Sequence, residues 1–123
     1  MSWELTADRP IYLQLIDHIK MNIISGEFAP GSKILSVREL ASRACVNPNT
    51  MQRALSELEK LGLLYTQRTN GRFITENLDV IENARESFAK NHTKKFSDRM
   101  SQLGLSKAQI INLVEEFSEE DLQ

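Results

Sequence analysis

Cysteine is all but missing from this chain: Cys45 is the one thiol in 123 residues, which excludes an internal disulfide and a cysteine-based zinc site. Histidine is scarce as well. His18 and His92 stand apart, with no Cys or Asp clustered around them, so neither a structural metal nor any cofactor is expected. The alternative is a small regulatory metal site at a subunit interface, built from His92 and acidic neighbours such as Glu86. No apolar run approaches the ~20 residues that span a bilayer, and Met1 to Leu5 lack a signal-peptide pattern, so a cytoplasmic protein without a membrane partner is expected. Internal repeats and low-complexity linkers are absent, and no proline follows Pro48. Catalytic patterns are absent too: no Gly-x-Ser-x-Gly elbow, no phosphate-cradling glycine loop and no histidine beside a nucleophile. An enzyme is not expected.

What is present is the composition of an ordinary globular protein, 41% hydrophobic and 26% charged. The net charge of −2 argues at first against a nucleic-acid partner. Its distribution removes the objection. Residues 31–75 hold seven Lys/Arg against three Glu, whereas residues 76–123 hold six Lys/Arg against ten Asp/Glu. Phosphate binding follows the local field and not the chain total, so the pattern suggests a basic reading head and an acidic tail.

The head carries the most informative segment, Ser36 to Lys60. Ser36 can cap a helix, and Glu39 three residues later completes a capping box. Val37, Leu40 and Ala41 follow as a short apolar stripe, and Val46 closes a turn. Cys45 falls in that turn, where a small buried thiol is expected and a redox sensor is the alternative. Asn47-Pro48 signals a second helix, with Asn at the N-cap and Pro at the first helical position. Along that helix Met51, Ala54, Leu55, Leu58 and Leu61 define one buried face. The opposite face shows Asn49, Thr50, Gln52, Arg53 and Ser56. A helix-turn-helix needs that division, since its second helix must both pack and project polar groups into the major groove. Asn49 and Gln52 can each pair with adenine, Thr50 suits a phosphate or a thymine methyl, and Arg38 suits a guanine or a phosphate. The plain alternatives are ordinary helix-terminus polarity and, for Arg38, a surface ion pair.

Before this motif, Asp8-Arg9-Pro10 starts a helix whose broad apolar face comprises Ile11, Leu15, Ile19 and Ile23 beside Tyr12, Ile16 and Ile24, and which Gly26 ends. Lys33 to Leu35 reads as a very short strand. After Gly62, a left-handed C-cap, residues 63–66 and 72–75 read as strands joined at Asn70-Gly71, the hairpin signal. The fold expected is mainly α with a small β-hairpin: a winged helix-turn-helix domain over residues 1–76 and a two-helix dimerisation region over 77–123. In the tail, Ile81, Ala84, Phe88, His92, Phe96, Met100 and Leu103 recur at helical spacing over about 24 residues, about 36 Å of helix. Gly104 breaks the pattern, Ser106 and Gln109 have capping-box spacing, and Ile110, Ile111, Leu113, Val114 and Phe117 make a second apolar helix. Two such helices cannot close a core alone. They either fold back on the head or pair with a second copy; since a DNA reader with one helix per groove needs two half-sites, dimerisation is expected, through Ile81, Ala84, Phe88, Phe96, Met100, Leu103, Ile110, Leu113, Val114 and Phe117.

Several spaced segments resemble one family in the right order: residues 10–16, 24–34, 36–41, 46–50 and 53–62 are similar to the DNA-binding domain of GntR-family bacterial transcription regulators. The likeness covers roughly Pro10 to Ile74. The short tail resembles the YtrA-type subfamily, whose tails dimerise and are often too small for the effector pocket of larger relatives. The resemblance implies a homodimeric repressor bound to a palindromic double-stranded DNA operator, in that subfamily frequently of operons encoding ABC-type transporters. It names no effector. Carried over by position, it implies DNA contacts for Arg38, Asn47, Asn49, Thr50, Gln52 and Arg53, and wing contacts for Arg68, Asn70, Gly71 and Arg72. Two positions depart from the pattern. Leu35 replaces the usual proline before Ser36, and Thr69 replaces the first glycine of the wing, leaving Gly71 alone to take a positive φ. The rival readings are a winged helix that serves as a protein-interaction module without specific DNA binding, and the reading head of a larger regulator that has lost its sensory domain.

Overall fold

The computed structural model describes residues 3–117 and 119–121. Its elements follow in the order α1 (Ile11–Ser25), α2 (Val37–Ala44), α3 (Pro48–Lys60), β1 (Leu64–Gln67), β2 (Gly71–Ile74), α4 (Leu78–Gln102) and α5 (Lys107–Glu115). The chain divides into two compact units, the first ending at Arg85 and the second beginning at Glu86, so the division falls inside α4.

Local chemistry explains where the helices begin and end. At α2 the Ser36 side chain accepts from the Glu39 N–H, and Glu39 reaches back to the Ser36 N–H. Asn47 caps α3 by accepting from the Asn49 N–H at 2.7 Å, with Pro48 in the first position. Ser106 and Gln109 form the second capping box, at α5. Gly26 ends α1 in the left-handed region, its N–H bonded to the Ile23 carbonyl. The start of α1 has no side-chain cap. There Gln14, almost fully buried, ties residues 6–9 to the helix: its Nε2 donates to the Thr6 and Arg9 carbonyls, and its Oε1 accepts from the Thr6 N–H.

One core fills the first unit. Leu15, Ile19 and Ile23 of α1 meet Leu40 and Ala41 of α2, Met51, Ala54, Leu55 and Leu58 of α3, and Leu63, Leu64 and Ile74 around the hairpin. Leu61, expected on the buried face of α3, is 54% exposed. It occupies the C-cap, where the chain has begun to leave the helix. Cys45 also differs from expectation, being exposed. It is the C-cap of α2 at φ 56, the one non-glycine at positive φ among the described residues, and its N–H bonds back to Ala41. That backbone geometry turns its side chain outward.

Strands β1 and β2 pair antiparallel, with Leu64 opposite Ile74, Tyr65 opposite Phe73 and Thr66 opposite Arg72. The Tyr65 and Phe73 rings stack across the ladder at 5.7 Å. The expected strand at Lys33 is reduced to a single bridge with Phe73, flanked by bonds from Ile34 N–H to Arg72 O and from Ile74 N–H to Ser32 O. Asn70-Gly71 does not act as a two-residue turn. Gln67 pairs with Gly71, so the connection is residues 68–70, closed by the Asn70 N–H on the Gln67 carbonyl. Gly71 alone takes the positive φ, 97°, and a Cβ there would lie 3.1 Å from Lys33 Cε.

The start of α4 belongs to the first unit. Ile81 is buried in the core, Ala84 packs against it, and Arg85 Nη2 donates to the Ile24 carbonyl at 2.9 Å. In the second unit, the rest of α4 and α5 enclose a cleft of about 950 Å³, lined by His92, Phe96, Ile110, Ile111 and Val114 among others.

Candidate nucleic-acid interface

The polar face of α3 exists because its apolar face is fully used. Met51, Ala54, Leu55 and Leu58 are buried, which turns Asn49, Gln52 and Arg53 to the surface and leaves Thr50 half-buried at the rim. Asn47 is exposed, but its Oδ1 is committed to the cap. Its side-chain amide remains as a donor. Gln52 donates to Ser56 Oγ at 3.2 Å, one turn along the same face, which orients its carboxamide. Arg53 lies with its guanidinium 3.6 Å above the Tyr12 ring of α1. A stacked guanidinium keeps its in-plane N–H groups available, a geometry suited to a phosphate.

Arg38, in the first turn of α2, is exposed, and no carboxylate among the described residues pairs with it. Arg43, Arg68 and Lys33 share that condition. The head therefore presents unpaired cations on α2, on the hairpin tip and before α2. A groove of about 610 Å³ separates the start of α2 from the hairpin and is lined by Lys33, Ser36, Glu39, Thr66, Asn70 and Arg72.

The two wing arginines differ sharply. Arg68 stands exposed in the connection beside Asn70, whose Nδ2 bonds Gln67 Oε1. Arg72 is held: its Nε lies 2.5 Å from Glu59 Oε1, and its side chain is 19% exposed. The same oxygen accepts from Thr66 Oγ1 at 2.6 Å. Burial alone would push the Glu59 carboxyl up, but the hydrogen bonds from Thr66 and Arg72, with the charge of Arg72, hold it below the ordinary glutamate value.

Sequence reasoning located α3 and the wing but missed Tyr12, Glu59 and Lys33 as parts of this surface. Tyr12 read as one more member of an apolar stripe, and Glu59 as one charge in a tally. Their partners lie 41 and 13 positions away, beyond the reach of helical or strand periodicity.

Comparison with known proteins agrees with this geometry. The family model for bacterial regulatory proteins of the gntR family matches residues 11–74. The HTH-type transcriptional regulator YhcF of Bacillus subtilis (strain 168) is 36% identical over 119 residues, 97% of this chain and 98% of that protein. The HTH-type transcriptional repressor YtrA of the same organism is 44% identical over 71 residues, 58% of this chain and 55% of that protein. Among solved structures, the AraR DNA-binding domain in complex with operator ORE1 superposes with a TM-score of 0.53 at 28% identity, covering 61% of this chain and 94% of that one.

Proposed function

The chain belongs to the gntR family of bacterial regulatory proteins, and on that premise we propose that it is a homodimeric repressor of a palindromic DNA operator, with α3 reading a major-groove half-site. The observation that carries this reading is the two-sided construction of α3. One face is consumed by the core, and the other presents Asn49, Thr50, Gln52 and Arg53, while on α2 Arg38 stands exposed with no carboxylate partner among the described residues. Those side-chain types read base edges and hold phosphates. The AraR DNA-binding domain, of similar fold and in complex with an operator, supports operator binding by this fold, and the YtrA repressor supports repression as its sense. From the resemblance of its tail to the YtrA-type subfamily, the regulated unit is proposed to be an operon, such as one encoding an ABC-type transporter.

Two copies are proposed because one helix reads only a few base pairs, and two-fold symmetry of the protein matches an inverted repeat in the site. The second unit favours self-association: Phe96, Leu103, Ile111, Leu113, Val114 and Phe117 are 38–72% exposed. A mobility-shift titration on genomic fragments recovered with the protein tests the reading. Binding is expected to centre on an inverted repeat and to fall steeply with salt as counterions are released. Salt-insensitive binding, or none, overturns it and favours the protein-interaction module.

A further inference from the structure

Among the described residues of the first unit, Glu59 is the one carboxylate that hydrogen-bonds both strands of the hairpin, and it does so at a single rung. Thr66 and Arg72 are direct cross-strand partners, and both bond the same Glu59 oxygen, at 2.6 and 2.5 Å. Glu59 itself sits on the last turn of the recognition helix. We propose that Glu59 is a positioning residue for DNA binding: it fixes the hairpin against α3 and withholds Arg72 from the phosphates, so that Arg68 at the tip is the wing's phosphate contact. The proposal rests on the DNA-binding reading above.

Three observations carry it. The Arg72 side chain is 19% exposed, and its Nε is held by Glu59. A guanidinium bonded to a carboxylate is already neutralised where it stands, so it releases few counterions on binding. Arg68, by contrast, is exposed and has no carboxylate partner among the described residues. The wing thus carries two arginines of the same charge with different tasks, one internal and one outward.

The experiment measures affinity against salt concentration for the full chain on a duplex carrying a recovered genomic site. Arg68→Gln is expected to flatten the slope of log affinity against log salt by about one unit. Arg72→Gln is expected to weaken binding several-fold with the slope unchanged, Glu59→Gln to steepen the slope by up to about one unit as Arg72 is released to the phosphates, and the double variant to keep the parent slope and bind no more weakly than Arg72→Gln alone. An Arg72→Gln slope that flattens as much as that of Arg68→Gln overturns the proposal, as do additive losses in the double variant. A second readout needs no DNA. In the parent chain the Arg72 Nε–H resonance should be displaced and protected from exchange, and Glu59→Gln should return it to the ordinary position. An ordinary, rapidly exchanging Arg72 resonance in the parent overturns the clamp directly. A parent chain without salt-dependent duplex binding overturns the DNA reading and this role with it, even where the resonance shows the clamp closed.

Discussion

Residue by residue, the interface separates side chains that are free to meet a partner from those already engaged. Arg38 is free, so Arg38→Ala should weaken operator binding by roughly 1–3 kcal/mol if it contacts a base edge. A salt-controlled shift assay checks this, and an unchanged affinity removes Arg38 from the interface. Cys45 tests a backbone effect instead. A non-glycine residue in the left-handed region carries a strain of about 1–2 kcal/mol, so Cys45→Gly should leave thermal stability equal or higher. Cys45→Val should lower it, since a β-branched residue fits that region poorly. His18 gives a third residue-scale expectation. Its imidazole stacks on Trp3 at 4.1 Å, and burial pushes its pKa below the ordinary value of about 6.5. The unfolded chain then takes up the proton first, so this contribution to stability is complete above pH 6.5 and is lost as pH falls through the folded value. Trp3 is the sole tryptophan. Its fluorescence should titrate with a midpoint below that of a free histidine, and His18→Gln should abolish the transition.

Among the elements, the helix termini were the most legible in sequence. Ser36, Asn47 and Ser106 cap where their spacing to Glu39, Pro48 and Gln109 says they should, because capping is decided within four residues. Ser36→Ala should therefore cost about 1 kcal/mol of stability in a denaturant titration. The hairpin was legible in outline only. Its two strands and the positive φ of Gly71 were expected, yet the turn length was not, since register is settled by the pairing of Gln67 with Gly71 and by the close approach of Lys33. Long-range partners were not legible at all: nothing near Arg53 points to Tyr12, and nothing near Arg72 points to Glu59. The lowered pKa of Glu59 gives the pairing a pH signature. Its stabilising contribution should be present above the usual glutamate range and be lost as pH falls through the depressed folded value. The difference in melting temperature between the parent and Glu59→Gln should accordingly shrink as the solution is acidified.

For the molecule as a whole, the apolar residues divide between those buried in the first unit's core and those left exposed in the second unit. The sequence grouped Ile81 and Ala84 with the tail because they share its helical period. The structure assigns the first two turns of α4 to the first unit, where Ile81 is 5% exposed and Arg85 bonds Ile24. Ile81→Ala should therefore lower stability by about 2–4 kcal/mol and leave the oligomeric state unchanged. Val114→Glu combined with Phe117→Glu should do the reverse, yielding a folded monomer in sedimentation. A double variant that still sediments as a dimer shows that Val114, on α5, and Phe117, beyond its C-cap, do not hold two copies together.

The contact between Glu59 and the Thr66–Arg72 rung also bears on protein engineering. It couples the hairpin to α3: a chimaera that imports a segment for residues 64–74 without a Thr and an Arg at this rung keeps the strands but leaves the Glu59 carboxylate without those partners. Redesign of the hairpin has to treat position 59 as part of the graft, and recombination that keeps this contact has its crossover before Glu59 on α3.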